Sequence, residues 1–557
     1  MKSPFLLISF LISSFLFSCK KDPVDNPQPP VIPSSFSFNT LKVDGVFNGF
    51  DYSNVSPQPV LKLSFKAPVN QTTISSAIFF RGENGAVIPY IQTFENGDST
   101  IVIQPSTSLS PLTRFIVSVT SALLSKEGGK LLSPIAVNLT TDFDKSDKFP
   151  QISDSLLLDK VQRQTFKYFW DFGHQVSGMA RERNSSGDIV TTGGTGFGLM
   201  AIVVGIERKF ISKSEGLSRT GKIVSFLQNN CQKYHGAFPH WLNGSTGATI
   251  PFSTRDNAAD LVETSYLMQG LLTVRQYFNS ATDTQEIKLR EQINTLWKNV
   301  EWSWFRKNNE DKLYWHWSPD YNWDMNMPVS GWNEALITYV LAASSPAFSI
   351  PKSVYENGWA RNGSFSNGSS YYGIKLPLGP ANGGPLFFSQ YSFLGINPIG
   401  LSDKYADYWT QNVAHSLINY NYCKANPKSY NGYSENCWGL TASDDNNGYA
   451  AHEPNNDSGV ISPTAALSSF PYTPKESMQA LRFFYYKLGD KLWGDYGFYD
   501  AFNLTNIWFA NSTLAIDQGP QIIMIENYRS QLLWKLFMSC PEIKTGMKNI
   551  GFQSPYL

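Results

Sequence analysis

The chain has 557 residues, and its 45 lysines and arginines are matched by 45 aspartates and glutamates; with no net field to gather a polyanion, a nucleic-acid partner is not expected. A composition 42% hydrophobic and 16% charged is that of a globular protein, no internal apolar run is long enough to cross a bilayer, and the length calls for more than one domain. Aromatic residues make up 14% of the chain, many beside Gly, Asn and Pro. Such flat faces suit the apolar C–H faces of sugar rings, though a large core would use them too.

Met1-Lys2 opens into an apolar stretch over residues 5–17, too short to span a membrane and of the length of a secretory signal. It closes on Leu16-Phe17-Ser18-Cys19, which resembles the lipobox of bacterial lipoproteins. The resemblance implies cleavage before Cys19, lipidation of that cysteine and a membrane anchor. Residues 1–19 are therefore read as a lipoprotein signal peptide, and the expected location is the bacterial outer membrane, facing the periplasm or the cell surface. An ordinary signal peptide with an incidental cysteine is the alternative. Export would allow the remaining cysteines to oxidise: Cys423 and Cys437 either close a short loop or stay free, like Cys231 and Cys540. The absence of any C-x-x-C pair argues against a structural zinc site.

Residues 20–35 form a proline-rich tether with no apolar pattern to fold. From 36 to 147 the text alternates with period two, at 60–65, 99–103, 113–119 and 136–140, with Asn96-Gly97-Asp98 as a turn. This reads as an Ig-like β-sandwich that gathers no catalytic groups. From 148 to 557 the period becomes helical. Candidate helices cover 154–171, 196–210, 214–229, 256–278, 284–307, 331–343, 403–422, 475–488 and 522–537, with long loops rich in Gly, Asn, Pro and aromatics between them. Helix pairs of this kind, over a length that holds about six hairpins, suggest an (α/α)6 toroid, so the expected fold is mainly α behind a small all-β unit. Glycosidases and polysaccharide lyases both use toroids, and architecture alone does not choose between them.

Within the helical part, Asp256, Asp260 and Glu263 interrupt an otherwise apolar segment. At positions i, i+4 and i+7 they would share one face of the helix expected over 256–278. Carboxylates buried together repel, so such a stripe is either answered by cations, of which only Arg255 is near in sequence, or lines a cleft where acids bind hydroxyls and handle protons. Glycoside hydrolysis needs a second, protonated acid. Glu334, beside Trp332 in Gly331-Trp332-Asn333-Glu334, fits that need; it equally fits a helix-start glutamate facing the dipole. Asp500, in an aromatic loop, is placed to clamp sugar hydroxyls, and Asp517 either does the same or caps the helix after it. The run Asp444-Asp445-Asn446-Asn447-Gly448 lacks the ligand alternation of an EF-hand, and neither metal nor cofactor is expected.

Several segments in order resemble glycoside hydrolase family 144: Thr192-Gly193-Gly194-Thr195-Gly196, then Arg255-Asp256 through Asp260 to Glu263, then Gly331-Trp332-Asn333-Glu334, and later Phe388-Ser389-Gln390-Tyr391, Tyr499-Asp500 and Asp517-Gln518-Gly519-Pro520. The resemblance implies an anomer-inverting enzyme acting on β-1,2-glucan, a neutral polymer, in an (α/α)6 toroid. Asp256, Asp260, Glu263 and Glu334 would be its required acids. Glu334 is expected to be the general acid, with Asp260 or Asp256 assisting water. Expected substrate contacts are Arg255, Trp241, Trp332, Phe388, Gln390, Tyr391, Tyr499, Asp500 and Asp517. Endo cleavage to sophorooligosaccharides is the first expectation and release of sophorose from a chain end the second; a surface glycan-binding lipoprotein is the non-enzymatic alternative, and a monomer is expected. A lyase would want more cations to neutralise a uronate.

Overall fold

The computed structural model describes residues 34–557; Cys19 and most of the tether lie outside them. The chain forms two compact units, divided between Asp142 and Phe143.

The first unit is a sandwich of eight strands: β1 (Phe38–Val43), β2 (Asp51–Val55), β3 (Leu61–Phe65), β4 (Ile78–Gly82), β5 (Tyr90–Glu95), β6 (Thr100–Pro105), β7 (Arg114–Val119) and β8 (Ile135–Thr141). They build two four-stranded sheets, in the orders β1-β3-β6-β5 and β2-β8-β7-β4. The alternation seen in the sequence becomes alternate burial: Leu61, Leu63 and Phe65 on β3 and Ile135, Val137 and Leu139 on β8 point into one shared core. The β5–β6 turn places Asn96, Gly97 and Asp98 all at positive φ, which these residue types tolerate.

The second unit is the toroid. Its inner ring runs from the helix Thr192–Glu207 to Leu261–Tyr277, Leu336–Ser344, the 3-10 turns Leu386–Ser389 and Ser392–Leu394, Pro463–Ser468 and Ala515–Ser530, which packs back on Thr192–Glu207. Outside it lie Asp154–Trp170, Lys213–Asn229, Thr284–Lys298, Tyr408–Ala425 and Pro474–Arg482. The two types differ as their positions demand. Thr192–Glu207 is buried along nearly its whole length, whereas Lys213–Asn229 buries one face and opens with a Ser212/Glu215 capping box.

Two glycines set the tightest contact of the ring. A Cβ on Gly196 would stand 2.1 Å from the Tyr266 carbonyl, and one on Gly270 2.1 Å from the Gly196 carbonyl. The two inner helices thus meet backbone to backbone, a distance that only glycine permits. This explains part of the Thr192-Gly193-Gly194-Thr195-Gly196 motif without any appeal to chemistry.

Several helix boundaries differ from expectation. The segment 331–343 becomes helical only at Leu336, 284–307 ends as an α-helix at Lys298, and 522–537 is two helices, Ala515–Ser530 and Leu532–Met538, separated by Gln531 in a left-handed conformation. One inner-ring position is held by short 3-10 turns, which carry no helical period to read. Cys423 and Cys437 are free and buried, as are Cys231 and Cys540.

Candidate active site

The acidic stripe is not a helical face. Ala259–Asp260 forms a two-residue strand against His316–Trp317, with Asp260 opposite His316, and the helix begins at Leu261. Asp260 is its N-cap: Oδ1 accepts from the backbone N–H of Val262 at 3.0 Å and of Glu263 at 2.9 Å. Only Glu263 stands on the helix, and Asp256 sits in the preceding loop. The periodicity of the segment does not register the extended backbone that the cap and the strand require.

Arg255 does not answer the buried acids; it is exposed and pairs with Asp324 at 3.4 Å. Two histidines do. His240 Nδ1 lies 3.0 Å from Asp260 Oδ2 and 4.0 Å from Asp256 Oδ2. His316 Nε2 lies 3.3 Å from Asp256 Oδ2 and 3.6 Å from Asp260 Oδ2. Burial opposes the charge of both rings, but the neighbouring carboxylates outweigh it: Glu263, Asp260 and Asp256 push His240 up to about 9, and Asp256 and Asp260 push His316 up to about 10. Burial likewise acts to raise Asp260, and the contacts with His240 and His316 overcome it, holding this carboxyl well below the usual range. With Oδ1 used as a cap and Oδ2 facing two imidazoles, Asp260 has no free side for a water. Asp256 differs, because its buried Oδ1 has no protein partner.

Glu263 Oε2 accepts from the Gly193 N–H at 2.7 Å and faces Thr191 Oγ1 at 3.4 Å. A Cβ on Gly193 would lie 2.6 Å from that oxygen, so the glycine is what lets the backbone reach the acid. Burial raises Glu263, with the Asp260 charge adding to it against the charge of His240 and the Gly193 hydrogen bond.

Glu334 precedes the helix Leu336–Ser344 and is not its cap, a place taken by Ala335. Ser392 Oγ donates to the Glu334 carbonyl, and Asn333 Oδ1 accepts from the Ala335 N–H at 2.9 Å, fixing the turn. The side chain is half-buried. Loss of hydration, helped by the charges of Asp260 and Glu263 and opposed by its own backbone N–H, raises its carboxyl to about 7. Trp332 is not a sugar platform: it is buried among Trp359, Phe393 and Tyr408.

A second acid group centres on Asp500 and Asp517. Asp517 lies in the first turn of Ala515–Ser530 rather than before it. Asp500 Oδ2 accepts from the Asp444 N–H at 2.7 Å, and the Asp500 and Asp517 carboxyls lie close enough to perturb each other. Burial raises both: the Asp444 charge adds to it at Asp500, whose carboxyl is pushed up to about 7, and the Asp500 and Asp444 charges add to it at Asp517, which is held well above the usual carboxylate range. Asp500 Oδ1 and Asp517 Oδ2 are buried with no hydrogen-bond partner. Asp444 is in turn gripped by Arg183 Nη1, 3.1 Å from each carboxylate oxygen. The Tyr391 ring packs between Phe197, Tyr266 and Phe387, and its hydroxyl feels the charges of both Asp517 and Glu334, placing it between the two acid groups.

The remaining expected contacts divide. Trp241 lies beside His240 and Phe252, and with them, Arg183 and Tyr449 lines a cavity of about 400 Å³. Gln390 Nε2 donates to the Ala465 carbonyl at 3.0 Å and Ser469 Oγ at 3.1 Å, tying the inner ring together. Tyr499 covers Gly494, and Phe388 packs half-buried on Phe387. His240, Asp256 and Asp260 present ligand atoms within 4.8 Å of one another, close enough to hold a cation. His240, His316, Arg183 and Tyr449 escaped the sequence reading, since each reaches the site from a hairpin or loop remote from the acids and carries no spacing signal.

Two groups of buried acids thus lie at the inner ring of an (α/α)6 toroid, and an aromatic-lined cavity opens beside His240. A family model for glucoamylase matches residues 326–541, and one for bacterial Ig-like domains residues 45–141. The chain is similar to the endo-β-1,2-glucanase of Chitinophaga pinensis, solved with sophorotriose and glucose, at 54% identity over 73% of this chain and 100% of that one, with a TM-score of 0.71. It is similar to a β-1,2-glucanase of Parabacteroides distasonis at 38% identity over 94% of this chain and 74% of that one, with a TM-score of 0.70. The exo β-1,2-glucooligosaccharide sophorohydrolase (non-reducing end) of Parabacteroides distasonis is 48% identical over 421 residues, 72% of this chain; the chain spans 58% of that protein's length. The chain belongs to glycoside hydrolase family 144.

Proposed function

We propose that the protein hydrolyses β-1,2-glucan with inversion of the anomeric centre, in endo mode. The observation that carries the reading is Glu334: a half-buried carboxyl, held protonated near neutrality, beside acids that stay ionised or hydrogen-bonded. In this reading Glu334 gives its proton to the glycosidic oxygen as the bond breaks, directly or through a sugar hydroxyl. Asp256, whose Oδ1 lacks a protein partner, takes a proton from the attacking water on the opposite face of the ring. Proton exchange with solvent then restores both groups. Asp260 drops out as the base because both its oxygens are engaged. It serves instead to hold His240 and His316, while Asp500 and Asp517 serve as hydroxyl clamps. An Asp256→Asn protein with wild-type turnover and pH profile would move the base role to the Asp500–Asp517 pair across the cleft.

The test is the product profile of the protein from Lys21 onward on linear β-1,2-glucan, with soluble starch as control. Early mixed sophorooligosaccharides support endo cleavage. Sophorose alone from the outset supports the exo reading, favoured by the 48% identity to the sophorohydrolase. Binding without cleavage would overturn the enzyme reading. We further propose a lipid anchor at Cys19 and a monomeric protein at the outer membrane, supported by the signal and lipobox pattern. Lipid-labelling of wild type against Cys19→Ala tests the anchor.

A further inference from the structure

We propose that His240, His316, Asp256 and Asp260 form a four-ligand site for a divalent transition metal of the zinc class, and that an ion seated there takes Asp256 out of the reaction. The second part rests on the proposed function, in which Asp256 is the base. Asp256 Oδ2 and Asp260 Oδ2 each face both imidazoles. His240 Nδ1 stands 3.0 Å from Asp260 Oδ2 and 4.0 Å from Asp256 Oδ2, and His316 Nε2 stands 3.3 Å from Asp256 Oδ2 and 3.6 Å from Asp260 Oδ2. The ligand atoms of His240, Asp256 and Asp260 all lie within 4.8 Å of one another. A tetrahedral zinc ion with nitrogen and oxygen ligands at about 2.0–2.2 Å has ligand-to-ligand edges of about 3.4 Å. The nitrogen–oxygen separations of the group fall on both sides of that edge.

Hydrogen bonding leaves this group incomplete. A charge-assisted bond from N–H to a carboxylate oxygen is about 2.7–2.9 Å long, and the separations of 3.3, 3.6 and 4.0 Å exceed it. Asp256 is 4% exposed, its Oδ1 has no partner, and its Oδ2 meets the imidazoles at 3.3 and 4.0 Å. A buried carboxylate so loosely held is costly unless a cation completes its shell. The frame around the group is fixed. Asp260 Oδ1 accepts from the Val262 and Glu263 N–H groups at 3.0 and 2.9 Å, which orients Oδ2 as the outer hydrogen bonds of a metal-binding carboxylate do. His316 is held opposite Asp260 by strand pairing, and the His240 ring stacks on Phe252 with centroids 4.2 Å apart.

Two imidazoles and two carboxylates suit zinc and its neighbours copper and nickel, whereas calcium and magnesium prefer sets made of oxygen alone. Charge balances in either state, because the dication enters as each imidazole gives one proton to solvent. An ion bound to Asp256 Oδ2 occupies the charge that would otherwise draw a proton from water.

The experiment takes the protein from Lys21 onward, free of any polyhistidine tag and stripped with EDTA, and titrates it with Zn²⁺ against a chromophoric chelator and with Co²⁺ by visible absorption. Wild type is expected to hold one Zn²⁺ per chain and to give the intense d–d bands of four-coordinate Co²⁺. His240→Gln and His316→Gln should each weaken Zn²⁺ binding by at least about tenfold, whereas His235→Gln, at a histidine paired with Glu301 outside the group, leaves it unchanged. Absence of stoichiometric Zn²⁺ from wild type, or equal binding in wild type and a folded His316→Gln protein, overturns the site. Should His316→Gln fail to fold, His240→Gln, at a partly exposed ring, decides under the same criterion. Zn²⁺-loaded wild type should hydrolyse β-1,2-glucan at least about tenfold more slowly than the stripped protein and recover with EDTA; unchanged turnover at full occupancy overturns the second part. Metal binding is read without substrate, and β-1,2-glucan left intact by the stripped protein overturns the proposed function instead, so the failures are distinct.

Discussion

Replacing Glu334 by Gln keeps the shape of the side chain and removes its titration, which tests the acid assignment by two independent readouts. In wild type the carboxyl is raised from 4.5 to about 7, chiefly by burial. Each tenfold in an ionisation constant is worth about 1.4 kcal/mol, so ionising Glu334 in the folded state costs up to about 3 kcal/mol, an upper bound because solvent reaches part of the group. The sign follows from proton uptake. Below 4.5 the acid is protonated folded or unfolded and contributes nothing; between 4.5 and about 7 the folded state retains a proton that the unfolded state has lost. Above 7 the folded protein carries the full cost. Urea denaturation at pH 5 and pH 8 should therefore show Glu334→Gln close to wild type at pH 5 and more stable at pH 8, by up to about 3 kcal/mol. Activity should move the other way: kcat/KM on β-1,2-glucan falls by about 10²- to 10⁴-fold, and the alkaline limb near pH 7 that wild type shows in kcat/KM against pH disappears. A variant that keeps that limb, or whose stability difference from wild type is equal at the two pH values, refutes the reasoning.

Two further outcomes follow from the packing. His316→Ala leaves Asp256 and Asp260 facing one imidazole instead of two, and the loss of a buried partner should cost about 3–5 kcal/mol at neutral pH. Because His316 is raised from 6.5 to about 10 in the fold, its contribution is complete below 6.5 and is lost as pH rises through 10, so denaturation of wild type and variant should converge at the alkaline end. Gly270→Ala pushes a methyl group into the Gly196 carbonyl at 2.1 Å. The obstacle is backbone rather than a movable side chain, and destabilisation of about 3 kcal/mol or more is expected in thermal or urea unfolding, with wild-type stability as the contrary result.

Local signals in the text carried the two-part architecture because they are also local in the fold. Alternation at 60–65 and 136–140 became the buried faces of β3 and β8, and apolar helical runs became the inner ring, since burial on a strand or helix repeats with the backbone's own period. The acids Asp256, Asp260, Glu263 and Glu334 were visible as charges in apolar surroundings. Their arrangement was not. Asp260 turned out to be a cap on extended backbone, Asp256 a loop residue, Trp332 a core residue and Gln390 a tie within the ring, because each depends on where neighbouring segments stop and turn. What balances the acids depended on tertiary structure altogether. His240 and His316 stand 20 and 56 positions from Asp260 in the chain, and they meet it only because a short strand pairs His316 with Asp260 and a loop brings His240 alongside. The Asp500–Asp517 pair and the grip of Arg183 on Asp444 were decided in the same way. Composition and period determine which residues are buried and in what secondary structure; electrostatic partners are set by distance in space, which the toroid alone assigns.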